Sequence, residues 1–573
     1  LNRAPKLKKQ SPADTGETYV ARNDARSSAI MAAGTLVSRI LGFVKTILLT
    51  VAIGSLSTVG DVFETANTLP NLIYVLVAGG VFNAVLVPQI IKAAKAQDGG
   101  ARYISKLVTL TVTAIGLITI ITVACAWPII SIMGSGWSPE QRQLGFIFSL
   151  WCLPQIFFYG LYTVIGQVLN AKDAFGAYMW SPVLNNVITI LSLFLFIFLF
   201  GAQTPNPHPI HTVASWTNAQ TLVLAGSSTF GVIMQALVLF IPLRKLGLRL
   251  KPDFAWRGIG LRAASKLAAW TLASGIISNL AFLYMTKVAA GIVGQREHYA
   301  AMGIQIPGLQ ALNYASMLYM LPHGVIGISI ATVLFNRMSA SAIADDSDSV
   351  IYALSHGLRN AAVATVFCMV ALMVLAGPIA VLFSGGDPIA ATIIAKLIVI
   401  TALGTPTLTI NYLYSRVLYA REDARTPFRI QVYSAIIMVI MSFAASLLDA
   451  QYTVYMLAFI YPVHNILILF ISHHMVRRRL GYYGQRGIVS TYARTTLASL
   501  FAGGIAAIAL WLLGGYQLDG FAWASKLTAI ITLAVCGTVM GLAYLAGVQI
   551  FRVKEANALL APLTSKLERF ARR

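Results

Sequence analysis

Apolar residues run along this chain in long blocks, and short polar segments separate them. Fourteen blocks are long enough to cross a bilayer as helices, for which about 20 residues suffice. They lie near 27–53, 68–91, 104–134, 143–170, 174–200, 219–247, 263–294, 309–338, 352–384, 388–419, 427–449, 452–476, 493–515 and 520–551. The pattern predicts an all-α integral membrane protein of about fourteen transmembrane helices. No segment outside the blocks is large enough for a soluble domain. The longest connections, 201–218, 248–262 and 477–492, are each about 20 residues or fewer, near the length of a single span.

Composition agrees. The 573 residues are 57% apolar and 11% charged, against about 25% charged in soluble domains. The net charge of +22 first suggests a nucleic-acid partner, but its distribution argues against one. Thirty-five of the 42 Lys and Arg residues lie in the two tails and in the even-numbered connections with their flanking turns. Only Arg142 and Arg296 lie in odd-numbered connections. This is the positive-inside asymmetry, and it predicts both termini cytoplasmic. The same charge attracts the chain to anionic lipid of the inner leaflet.

A weak internal repeat divides the chain. Val168-Leu169-Asn170-Ala171-Lys172-Asp173 follows the fourth span, and Val417-Leu418-Tyr419-Ala420-Arg421-Glu422-Asp423 follows the tenth, about 249 residues later. Leu69-Pro70 and Leu321-Pro322 repeat at about 252 residues. Six spans is an even number, so the copies share one orientation, as parallel transporter repeats do about an axis along the membrane normal. The expected organisation is a cytoplasmic tail (1–26), an N-lobe of six helices (27–247), a C-lobe of six (263–476), two extra helices (493–551) and a basic tail (552–573). The first residue is Leu1, which fits a piece of a longer protein.

The remaining five basic residues, Arg39, Lys45, Lys287, Lys396 and Lys526, fall within spans. Arg39 lies about 18 Å into its block, near the middle of an apolar core about 30 Å thick. A central Arg costs on the order of 2.5–3.5 kcal/mol to insert and marks a functional site by default. Asp61 and Glu64 stand just before the second span, and no carboxylate is expected at depth. The intramembrane cations then need backbone carbonyls, water or an anionic substrate as partners. A phosphate or diphosphate suits, since Arg binds it bidentately. Lys45 follows Arg39 by six residues, about 9 Å along the helix. Lys396 and Lys526 lie near span ends, where long side chains reach the interface. Helix breaks are expected at Pro70, at Gly79-Gly80 and at Pro322-His323-Gly324, matching positions of the two halves where a transport site moves. His323 and His464 read as hydrogen-bonded packing residues. Cys125, Cys152, Cys368 and Cys536 read as small buried hydrophobes. No P-loop, metal-ligand spacing or Gly-rich phosphate cradle is present, so neither an enzyme nor a cofactor is expected.

Ser38-Arg39-Ile40-Leu41-Gly42-Phe43, Asp61, Leu69-Pro70-Asn71-Leu72, Phe82 and Val87-Pro88 together resemble the MurJ/MviN lipid II flippase family, of the multidrug/oligosaccharidyl-lipid/polysaccharide exporter superfamily. The resemblance covers about residues 27–551. It implies translocation of undecaprenyl-diphosphate-linked peptidoglycan precursor, lipid II, across the bacterial plasma membrane by alternating access. The implied substrate contacts are Arg39, Lys45, Asp61, Asn71 and Lys287. The implied hinges are Gly42, Pro70, Gly79, Gly80, Pro322 and Gly324. The last two spans would border a groove for the lipid tail. Relatives carry Arg-Arg where this chain has Tyr74 and Val75, an acidic-Gly pair at Gly79-Gly80, and Asp-Arg at Ser316-Met317. The cavity should therefore be less cationic, with Lys287 compensating. Actinobacterial relatives extend into a cytoplasmic kinase-like region, and cell-wall or cytoplasmic regulatory proteins are expected partners beside membrane lipids. A coupling ion is not nominated, and membrane potential would favour outward movement of an anion. The alternatives are an exporter of another polyprenyl-diphosphate oligosaccharide, of O-antigen type, and a non-transporting scaffold for cell-wall enzymes.

Overall fold

A computed structural model describes residues 17–76, 101–172, 174–204, 209–247, 250–256, 266–344 and 346–556. Among them all regular structure is helical. Thirteen helical segments are long and apolar enough to cross a membrane, and each overlaps one expected span. The remaining expected span, 68–91, is described only to residue 76, so Gly79 and Gly80 lie outside the described residues.

The first half contains α1 (Glu17–Ile53), α2 (Thr58–Tyr74), α3 (Ala101–Ala124), α4 (Ala126–Met133), α5 (Pro139–Cys152), α6 (Gln155–Ala171), α7 (Phe175–Phe200) and α8 (Ser227–Leu237). The second contains α9 (Lys266–Gly291), α10 (Leu309–Pro322), α11 (Ile328–Ile343), α12 (Ser347–Val374), α13 (Ala376–Phe383), α14 (Pro388–Ala402), α15 (Thr405–Ala420), α16 (Arg425–Ser446) and α17 (Ala450–Leu480). Then come α18 (Gln485–Leu512) and α19 (Lys526–Ile550). They pair with each other and lie against α12 and α13, where Tyr544 Oη donates to Val363 O at 2.6 Å.

Hydropathy shows the spans but not their internal breaks, which proline explains. Pro128 follows the end of α3 at Ala124, and Pro378 follows the end of α12 at Val374. Each sits four residues on, where its ring clashes with that carbonyl and supplies no N–H. The two prolines are 250 residues apart, as are the breaks at Cys125 and Leu375. Pro406 ends α14 at Ala402 in the same way. The repeat is thus carried by the pattern of broken helices, beyond the short motifs that suggested it. Cys125, expected to be buried, is exposed at its break, whereas Cys152 and Cys536 are buried.

The halves form two lobes that grip each other at the end of the bundle holding loop 54–57. The 134–137 loop of the first lobe crosses the end of α9, where Trp137 Nε1 donates to Ala290 O at 2.7 Å. A Cβ on Gly136 would stand 2.9 Å from Gly291 O, so only glycine permits this approach. The 384–387 loop of the second lobe crosses the end of α1 reciprocally, and Ser55 Oγ donates to Ser384 O at 3.1 Å.

Candidate functional site

Helix α1 carries Arg39 to the seam between the lobes. Asn186 of α7 holds the helix there, its Nδ2 donating to Ser38 O at 2.8 Å. Across the seam, α10 ends at Pro322 and a π-helical turn follows over His323–Gly327. Such a turn is a wider, locally distorted stretch of helix. Arg39 Nη2 donates to Gly324 O at 3.4 Å. The half-buried guanidinium therefore has a backbone carbonyl as its partner, through one long hydrogen bond. Its other four N–H groups have no partner among the described residues and can serve an anion. A Cβ on Gly324 would stand 2.7 Å from Nη1 and 3.0 Å from Nη2. Gly324→Ala is therefore expected to push Arg39 off its seat. The atom displaced is the end of a flexible side chain, so melting should hardly change while transport falls several-fold; parallel thermal-shift and vesicle transport assays check this.

Helix α2 begins ten residues before the expected span, because Ser57 caps it: its Oγ accepts from Gly60 N. Asp61 and Glu64 consequently lie on the first turns of a packed helix. Both meet α10 of the other lobe. Asp61 Oδ1 accepts from Gln310 N at 2.8 Å, and Glu64 Oε1 accepts from Asn313 Nδ2 at 2.8 Å. Each pair is separated by 249 residues, the repeat offset, so each carboxylate meets its own pseudo-symmetry mate. Lys45, half-buried on α1, is near enough to Glu64 for each to feel the other's charge. The expectation that no carboxylate accompanies the intramembrane cations is thus corrected: the hydropathy window misses helical turns that are polar but buried.

Asp61, expected to touch substrate, is engaged elsewhere. Its Oδ2 is 2.5 Å from Arg296 Nη2, which also donates to Ile306 O at 3.2 Å. Asp61 is fully buried and Arg296 is 7% exposed. A substrate reaching Asp61 would have to displace Arg296. Sequence reasoning missed Arg296, counting it only as a connection charge; it is a lone buried charge in a segment whose neighbours Glu297 and His298 are exposed, so nothing local marks it. Gly308 lies under the pair, where a Cβ would meet the Asp61 carboxylate.

The other expected residues are dispersed. Lys287 lines a cavity of about 360 Å³ with Ser135, Gly136, Tyr284, Gln295 and Ser446, and neither Arg39 nor Lys45 shares it. Asn71 is exposed beside Pro70 on α2. Pro70 sits inside α2, which passes into a π-helical segment at residues 75–76, echoing Pro322. Gly42, expected as a hinge, does not interrupt α1: the helix is continuous, and Thr46 Oγ1 donates to Gly42 O at 2.9 Å. His323 and His464 bond Thr409 Oγ1 and Ser434 Oγ at 3.1 and 2.7 Å.

A family model described as lipid II flippase MurJ matches residues 49–549. The chain belongs to the MurJ family. It is 26% identical over 423 residues to the probable lipid II flippase MurJ of Rhizobium tropici, covering 72% of this chain and 73% of that protein. It is 25% identical over 410 residues to the lipid II flippase MurJ of Burkholderia cenocepacia, covering 70% and 73%. The fold matches a solved lipid II flippase MurJ in an inward closed conformation, with a TM-score of 0.67 over 94% of this chain and all of that one, at 19% identity. It also matches an inward-facing multidrug resistance MATE family transporter, at a TM-score of 0.58 over 78% of this chain and 96% of that one, with 13% identity. MurJ membership makes the chain a multi-pass bacterial inner-membrane transporter, not an enzyme. Its seam departs from the expected basic MurJ cavity at two places. Tyr74 turns into the first lobe, where its Oη donates to Thr163 Oγ1 at 2.7 Å. Met317 packs against the apolar core of the second lobe.

Proposed function

We propose that this chain moves undecaprenyl-diphosphate-linked peptidoglycan precursor from the inner to the outer leaflet by alternating access, with both termini cytoplasmic. The observation that carries the reading is Arg39, a guanidinium at the seam of two lobes whose one hydrogen bond among the described residues is a long one to Gly324 O, and which its place in the first span puts near mid-bilayer. A diphosphate offers it bidentate, charge-assisted partners worth roughly twice a neutral hydrogen bond. Lys45 extends the path toward the 54–57 end. Contacts that include Asp61–Arg296, Trp137–Ala290 and Ser55–Ser384 close that end, so the described arrangement suits loading from the cytoplasmic leaflet. With the inside negative, outward movement of each elementary negative charge gains about 2.3 kcal/mol per 100 mV.

The test is a vesicle assay with the purified full chain. Lipid II is expected to become accessible to a membrane-impermeant headgroup reagent. The same lipid carrying an O-antigen-type glycan should not. Equal rates would overturn the substrate assignment, and movement of neither lipid would overturn the reading.

A further inference from the structure

We infer that Arg296 is a second, release-side binding residue for the substrate diphosphate, which it takes in exchange for Asp61 as the lobes part. This rests on the transport reading above. The ion pair joins α2 of one lobe to the segment after α9 of the other, so parting at the 54–57 end must separate it. Arg296 is then left with more than a lost partner. In the closed arrangement, among the described residues, only Nη2 is engaged, while Nε and Nη1 are buried and have no hydrogen-bond partner. Three of its five N–H groups are thus idle in a place where idle donors are costly.

A ligand placed on those donors removes the deficit. Each planar edge of the guanidinium, Nη1 with Nη2 and Nε with Nη2, includes the nitrogen that Asp61 holds, so departure of Asp61 opens a bidentate edge to a phosphate beside the idle Nε and Nη1. Space exists beside it: Arg296 lines a cavity of about 200 Å³ with Ser57, Thr58, Gln203 and Gln305. Glu297 and Asp387 line the same cavity. Their charge opposes long residence of an anion, which suits a point of departure better than a store. The position is right for one. From Arg39 to the end of α1 at Ile53 is about 21 Å along the helix, and Asp61–Arg296 lies just past that end. Arg39, Lys45 and Arg296 then form three cationic steps from mid-bilayer to the outer mouth.

The exchange also ties opening to cargo. An empty carrier that opens exposes an unpaired Arg296 and an unpaired Asp61. A loaded one re-pairs Arg296 with phosphate, and Asp61 repels the anion from the lobe it is leaving.

The test uses the full chain in nanodiscs with its four native cysteines replaced and spin labels at Ser135→Cys and Ser446→Cys, one on each lobe at this end. The probe is undecaprenyl diphosphate without sugars. Wild type is expected to be closed alone and to gain a long-distance population with the probe. Arg296→Gln and Asp61→Asn should both open without it. They should then differ: Asp61→Asn keeps or tightens probe binding, and Arg296→Gln weakens it about tenfold, the loss of one charge-assisted contact. If Arg296→Gln does not fold, Arg296→Lys, which keeps the charge without the fork, is expected to weaken binding several-fold. Identical probe response in the Arg296 and Asp61 variants would overturn the inference and leave a latch alone. That result, with wild type still flipping lipid II, is distinct from failure of the transport reading, in which wild type neither binds the probe nor flips the lipid.

Discussion

Arg39→Ala is expected to lower lipid II translocation by a hundredfold or more while the bundle stays folded. In the closed arrangement Arg39 makes one hydrogen bond to the described residues, 3.4 Å long, to Gly324 O. Its loss costs the fold no more than about 1 kcal/mol. Two charge-assisted bonds to a diphosphate are together worth about 3–6 kcal/mol, which at about 1.4 kcal/mol per tenfold is two decades or more. Tyr74 and Met317 stand where the family resemblance leads one to expect Arg, and both are packed within their lobes. They cannot substitute. Complementation of a flippase-depleted cell, with membrane levels of the variant measured alongside, checks the prediction; full rescue at normal levels would sink it.

A second large effect is expected in the closing equilibrium. Breaking a buried ion pair by removing one partner costs about 3–5 kcal/mol, whereas replacing both with neutral groups is often near neutral. Arg296→Met alone should therefore shift the lobes at the 54–57 end toward the open arrangement by on the order of a hundredfold to a thousandfold. Arg296→Met with Asp61→Asn should largely restore closure, because Asn keeps an acceptor for Gln310 N. The reporter is Ser55→Cys, since Ser55 is buried beneath Ser384 in the closed state. Its labelling rate by an impermeant maleimide should rise in the single variant and fall back in the double. A single variant that labels at the parent rate would remove the ion pair from any account of closure.

Much of the membrane architecture was legible because bilayer thickness imposes span length on sequence directly. Even so, α2 began ten residues early, since Ser57 caps a helix whose first turns are polar and packed by the other lobe. The breaks at Cys125 and Leu375 were missed for another reason. Pro128 and Pro378 interrupt stretches that remain apolar throughout, so hydropathy does not register them. Arg39 was found because an isolated charge in an apolar block is visible locally. Arg296 was not, because its burial depends on Asp61, 235 positions away. One clue to the seam did lie in the chain. The repeat offset of about 249 places Asp61 against Gln310 and Glu64 against Asn313, and residues beside a twofold axis touch their own copies.

Those two pairs bear on how such a chain arises. If its halves descend from one duplicated ancestor with Glu64 in both copies, identical halves would have set carboxylate against carboxylate where Glu64 now meets Asn313, a destabilising pairing. One copy had to lose its acid before the fused molecule could shut. Asn313 donates its side-chain amide to Glu64, which a carboxylate in its place could not do, whereas Gln310 meets Asp61 through its backbone N–H. Divergence of the two halves here is then a condition of closure, fixed by electrostatics before any preference for cargo could act on it.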